Sequence, residues 1–214
     1  MQHTKQYPAR GNNHNVVNIR TLLAEIRHRA ARGEVGSAMS HTPLQTAQPV
    51  VPRPQIVHFE QLEERKAFAD SEFFVTLLAN CTQSAPSELT TACCVVGCGF
   101  GASRATTFDT LEKLAHQLGG AVGGTRPVVD RGLLPHDRMI GRTGCSITAD
   151  YYLAFGISGQ RLHTVGLHDG CRIVAINRDE QAPICREAEW VIVGDADEVA
   201  AWWLSQLNQV RNNE

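Results

Sequence analysis

The sequence has no excess of charge of either sign, no long apolar run and no cysteine pairing motif, and each absence removes a class of function. Lys and Arg number 20 against 22 Asp and Glu, a formal charge of -2. No basic block with interleaved aromatics occurs, so nucleic acid is not an expected ligand. No stretch of about 18 apolar residues exists and the N-terminus lacks the apolar core of a secretory signal. No membrane insertion is therefore expected, and the chain should remain in the compartment where it is made, the cytoplasm. The seven cysteines (Cys81, Cys93, Cys94, Cys98, Cys145, Cys171 and Cys185) are an odd set without C-x-x-C, and no His pair at metal-ligand spacing accompanies them. They read as small hydrophobes in a reducing compartment, and no metal site is expected.

What is present is 214 residues that are 43% hydrophobic, enough for one full domain and a smaller appendage. Residues 1–55 are poor in aromatics and rich in Asn, Gln, His, Thr and Pro, which marks a mostly disordered or residual segment. Within it, "NIRTLLAEIRHRAARGE" sets Ile19, Leu22, Leu23 and Ile26 on one helical face and ends at Gly33. Residues 56–88 read as a residual N-terminal element, with a strand at Ile56–Phe59 and then an ambiguous helical pattern, closed by the linker Thr82–Glu88.

From Leu89 onward, strand-like runs at Cys93–Val96, Ala121–Gly123, Tyr152–Phe155, Arg172–Ile176 and Trp190–Val193 alternate with segments of crossover length. This pattern predicts an α/β domain over 89–214, doubly wound around a mainly parallel sheet. Phe108, Leu111, Leu114, Ala115 and Leu118 form one face of a helix that Gly119 can end. Asp195 and Glu198 have the spacing of a capping box at the start of the last helix, in which Trp202 and Trp203 read as packing residues.

Ligands of such sheets collect beyond the carboxyl ends of the strands, so the residues that follow each apolar run are the candidates. They are "GCGFGAS", "GGTR" with Arg126, "GRTG" with Arg142, Thr143 and Gly144, "GISG" with Ser158 and Gly159 leading to His163, "INRD" with Asn177, and "VGD" with Asp195. Glycines admit a diphosphate to the backbone, a helix N-terminus after Ser158–Gly159 would supply N–H donors, and an arginine forks onto an oxyanion. Taken alone, Asn177 is a turn residue and His163 a surface residue. Gly97-x-Gly99-x-x-Ala102 suggests a nicotinamide dinucleotide, but the second strand ends in "AVGGTR" without the acidic residue that would bind the ribose. Arg126 instead suits a 2′-phosphate, which keeps an NADP-dependent oxidoreductase open.

In order, "TRPVVD", "GRTG", "GISG" and "INRDEQAPI" resemble the FAD-binding domain of the electron transfer flavoprotein alpha subunit, over about Leu89–Leu207. The resemblance implies a Rossmann-like domain that binds FAD. It carries Arg126 to the place beside the isoalloxazine, where its charge favours the reduced, anionic flavin, and Thr143 to the vicinity of N5. Ser158 and Gly159 go to the diphosphate, His163 to the pyrimidine, and Asn177 and Asp195 to the adenosine half; Arg142 and Gly144 complete the "GRTG" loop. The implied function is electron transfer rather than bond-making catalysis: a heterodimer with a beta subunit, taking electrons from acyl-CoA dehydrogenase-type flavoproteins of fatty acid beta-oxidation and passing them to a quinone oxidoreductase. Three positions depart from the family pattern. Phe100 stands where the family has the arginine of a "GGRG" turn, Arg142 where it has Gln, and Leu162 replaces a Gln. With the shortened N-terminal region, they leave open a paralogue with weak or lost FAD binding that acts as an interaction subunit.

Overall fold

The computed structural model describes residues 53–81 and 88–211. The helix expected over residues 18–34, and all of the expected linker except Glu88, lie outside them. In chain order the elements are strand β1 (Gln55–His58), helices α1 (Leu62–Ala69) and α2 (Glu72–Cys81), β2 (Cys94–Cys98), α3 (Ala105–Gln117), β3 (Ala121–Gly124), α4 (Arg126–Asp130), β4 (Tyr151–Phe155), α5 (Arg161–Thr164), β5 (Arg172–Asn177), α6 (Pro183–Glu187), β6 (Trp190–Val193) and α7 (Ala196–Arg211). Phe100–Ala102 and His136–Arg138 form short 3-10 turns.

The six strands make one sheet in the order β1-β6-β5-β4-β2-β3, and every pairing is parallel. The expected doubly wound sheet is thus parallel throughout. Strands buried on both faces read as continuous apolar runs, which is why β2 and β4 were legible. Alternation along β2 sends Cys94, Val96 and Cys98 to one face, with α2, α3 and α7, and Val95 to the other, with Ile147, Ile157 and Ile184. From β2 the chain adds β3 on one side and then returns to add β4 on the other. The crossovers diverge at this reversal, leaving a crevice beyond the carboxyl ends of β2 and β4.

The ambiguous helical pattern after β1 resolves into two helices broken at Asp70–Ser71. The Ser71 hydroxyl donates to Phe68 O at 2.6 Å and accepts from Phe74 N at 3.2 Å, capping α2. This segment builds onto the same sheet: β1 pairs with β6, and Phe68 lies 5.0 Å from Trp190 and 5.7 Å from Trp203 between ring centroids. At the start of α7, Asp195 Oδ1 accepts from Asp197 N at 2.8 Å, one residue short of the capping-box position. Asp197 in turn ties α7 to the first turn of α3, accepting from Arg104 Nη1 at 2.6 Å and from the Thr107 hydroxyl.

Trp203 is fully buried, with Phe74 at 5.4 Å. Its replacement by Ala should lower stability by about 3–5 kcal/mol through lost contact and a residual cavity. Trp203→Phe keeps most of the ring contact and removes an indole N–H that has no partner among the described residues, so its cost should be well below that. Urea unfolding of both variants checks this, and a loss under about 1 kcal/mol for Trp203→Ala would be inconsistent with this packing.

Candidate functional site

At the reversal point, the glycine-rich turn after β2 lies directly against the turn after β4. Gly99 N donates to Phe155 O at 2.8 Å and Gly101 N to Gly156 O at 3.0 Å. A Cβ on Gly99 would stand 2.2 Å from Gly156 O, so the approach excludes any side chain. Gly97 is used differently: its missing Cβ makes room for the Tyr152 ring, whose hydroxyl would otherwise be 2.1 Å away. The first two glycines of the motif thus serve internal packing rather than standing open to a phosphate.

Beside these turns is a cleft of about 290 Å³ whose lining includes Arg126, Arg142, Thr143, Ser158 and His163, together with Phe100 and Leu162. Five of the nine residues expected to hold the cofactor therefore meet in one place. They come from α4, the 141–144 turn, the 156–159 loop and α5. The 141–144 turn is held by Arg142 N donating to Leu162 O at 2.8 Å and Gly144 N to Gly141 O at 3.0 Å, which leaves the Arg142 and Thr143 side chains exposed. Arg126 is also exposed, 3.6 Å from Asp130 one helical turn on.

The other four expected residues stand apart from the cleft lining. Gly144 ends its turn, and Gly159 is buried against Ile184. Asn177 donates to Ile157 O at 2.9 Å and accepts from Asp179 N at 3.0 Å, so it anchors the 156–159 loop to β5 as well as forming the turn expected of it. Asp195 is half-buried and ion-paired with Arg178. The helix expected after Ser158–Gly159 is a single turn, α5, too short to develop the dipole that would favour an anion.

His163 is buried, unlike the surface position its sequence context suggests. Its Nδ1 lies 3.0 Å from Ile140 O and its Nε2 2.9 Å from the Tyr152 hydroxyl. A carbonyl only accepts, so Nδ1 carries the proton and Nε2 accepts from Tyr152. Burial pushes the His163 pKa below its ordinary value, against the raising effect of the Ile140 carbonyl, and burial holds Tyr152 well above its own. The pair is a neutral strut between β4, α5 and the loop before Gly141.

Thr125 also lines the cleft, and its buried Oγ1 has no hydrogen-bond partner among the described residues. A bound group with a donor or acceptor there would satisfy it. Thr125, directly after β3, fits the same strand-exit rule that points to Arg126 one residue further on. Tyr152 lies inside an apolar run and offers no such signal.

Residues 88–168 match the sequence profile of the electron transfer flavoprotein FAD-binding domain. Over that stretch the chain is similar to the electron transfer flavoprotein alpha-subunit family. The chain is 42% identical over 120 residues to the mitochondrial electron transfer flavoprotein subunit alpha of Arabidopsis thaliana, an alignment covering 56% of this chain and 33% of the plant protein. Against the subunit alpha of Paracoccus denitrificans it is 41% identical over 132 residues, covering 62% and 43%, and against that of Mycobacterium leprae 43% over 113, covering 53% and 36%. The chain thus spans about a third to two fifths of the length of these curated relatives. Among the described residues, no helix is long and apolar enough to cross a membrane.

An exposed hydroxyl at Thr143, one at Thr125 without a partner among the described residues and two guanidinium groups share the cleft lining with Ser158, Gln160 and His163 and with apolar side chains such as Ile140, Ile157 and Leu162. Near pH 7 His163 adds no charge there, and its depressed pKa sets a pH dependence. Above pH 6.5, its ordinary value, native and unfolded chains both hold a neutral imidazole and the stability is complete. Below it the unfolded chain takes up a proton that the native chain does not, so stability falls by up to about 1.4 kcal/mol per pH unit until the native pKa is reached. Denaturant unfolding between pH 7.5 and 5 should be flatter for His163→Gln than for the natural chain; equal slopes would contradict the assignment.

Proposed function

We propose that this chain binds FAD in the cleft between the turns after β2 and β4 and works as an alpha-type electron transfer flavoprotein subunit. It pairs with a beta-type subunit and carries electrons from acyl-CoA dehydrogenase-type flavoproteins to a quinone-linked oxidoreductase. The observation that carries this reading is the convergence of Arg126, Arg142, Thr143 and Ser158, from three separate segments, on one cleft at the reversal point of a doubly wound sheet. FAD supplies the electron-accepting ring. The residues supply position and charge: Thr143 and Thr125 offer hydroxyls to ring heteroatoms, and Arg126 and Arg142 favour a ring that gains negative charge.

One observation favours a second reading, a relative with weak or lost FAD binding that acts as an interaction subunit. The Asn177 amide and the Asp195 carboxylate, expected to hold the adenosine half, are engaged within the protein by Ile157 O and Arg178. Affinity separates the two. Purified alone and with a beta-type partner, the protein should be yellow and take up FAD with a micromolar or tighter Kd. Arg126→Ala should weaken uptake about 10- to 100-fold, the scale of a hydrogen bond to a charged group. A colourless protein that takes up no FAD in either form would establish the second reading.

The departure at Arg142 bears on the flavin potential. Arg142→Gln removes one of two cations at the cleft mouth and should lower the potential by tens of millivolts, where about 1.4 kcal/mol corresponds to roughly 59 mV for one electron. Spectroelectrochemical titration measures it, and no change, or a rise, would refute the effect.

A further inference from the structure

Phe100 and Leu162 are the two cleft-lining residues with large apolar side chains left in water, 60% and 68% exposed. Neither is loosely held. Phe100 sits on the turn fixed by the Gly101–Gly156 backbone bond, and Leu162 on α5, whose carbonyl accepts from Arg142 N. The Phe100 ring is pinned as well. The Arg131 guanidinium carbon lies 3.9 Å from its centroid, and Arg131 donates to the Ser103 hydroxyl, which donates to Phe100 O at 2.7 Å. With one ring face covered by the guanidinium, the other face and the edge remain for the cleft. Exposed apolar side chains that gather at one concave site mark a surface awaiting a partner.

Resting on the flavin reading above, we infer that Phe100 and Leu162 form an apolar clamp for the flavin's tricyclic ring, with Arg131 as the residue that positions Phe100. A cleft of about 290 Å³ is at the small end of ligand sites and suits one ring system rather than a whole dinucleotide. The isoalloxazine is planar, with an apolar dimethylbenzene end and a heteroatom end. The clamp suits the first, and Thr143, Thr125 and the arginines suit the second. Adenine has ring nitrogens or an amino group on every side and no extended apolar end comparable to the dimethylbenzene ring. The apolar residues at the positions where the family has Arg and Gln are, on this reading, an alternative grip rather than a loss.

Binding of FAD, riboflavin and ADP to the natural chain, Phe100→Ala, Leu162→Ala, the double variant and Phe100→Trp tests this. Circular dichroism should show all four variants folded, with at most a small shift in melting where Phe100→Ala gives up the exposed Arg131 contact. Phe100→Ala should weaken FAD and riboflavin about tenfold, the scale of a lost ring–ring contact with its buried area. Leu162→Ala should weaken them less, Phe100→Trp should restore affinity, and ADP should be unaffected. If the natural chain binds FAD and the double variant binds it equally well, the clamp is wrong and the proposed function stands. An effect on ADP with riboflavin unchanged, or on capture of a beta-type partner with flavin affinity unchanged, overturns the clamp as well. If the natural chain binds neither FAD nor riboflavin, the flavin reading itself fails and the clamp with it.

Discussion

Two backbone turns pressed together where the sheet reverses direction are the constraint on which the site depends. Gly99 and Gly101 donate to the chain at Phe155 and Gly156, at a distance that leaves no space for a Cβ on Gly99. The contact closes the gap between β2 and β4, and it fixes where the next residues of each turn point. Phe100 is thrown to the rim on one side, and Ser158 begins the opposite loop. A side chain at Gly99 would press on Gly156 and Ile157, which line the cleft, and so part the turns and move both of its walls at once.

Around that contact, polar groups divide into those used by the fold and those left over. His163, Tyr152 and Asn177 are fully engaged: they tie β4, β5 and the 140–142 segment to each other. Thr125, Thr143 and Arg142 carry no such duty within the described contacts, and they share a cleft with exposed apolar side chains. A neutral buried histidine is the cheaper solution for a strut, since a charged one would need a counter-ion that the surrounding apolar shell does not provide.

Legibility followed burial. Runs buried on both faces, such as β2 and β4, declare themselves because every position is apolar, and the amphipathic face of α3 because its period is helical. The segment after β1 was ambiguous since Phe68, Phe73, Phe74, Leu77 and Leu78 are all buried, which blurs the helical period that a half-exposed helix would show. Its break at Ser71 is a local capping event between two such stretches. At the site, strand exits located Arg126, Arg142, Thr143 and Ser158, but the same rule could not tell Asn177, spent on a loop anchor, from a residue free to bind.

Local sequence by itself determined the strands, the alternation that makes the sheet parallel, the polar positions at strand ends and the family likeness of residues 88–168. These depend on periodicity and on short ordered motifs, which survive without knowledge of what lies across the fold. Tertiary structure alone decided which polar groups are already partnered, that His163 is interior, that the motif glycines pack against Gly156 and Tyr152, and that Arg131 lies over Phe100 from a separate element. Each of those is a contact between residues distant in sequence, and hydrogen-bond valence and van der Waals volume are settled only where such residues meet.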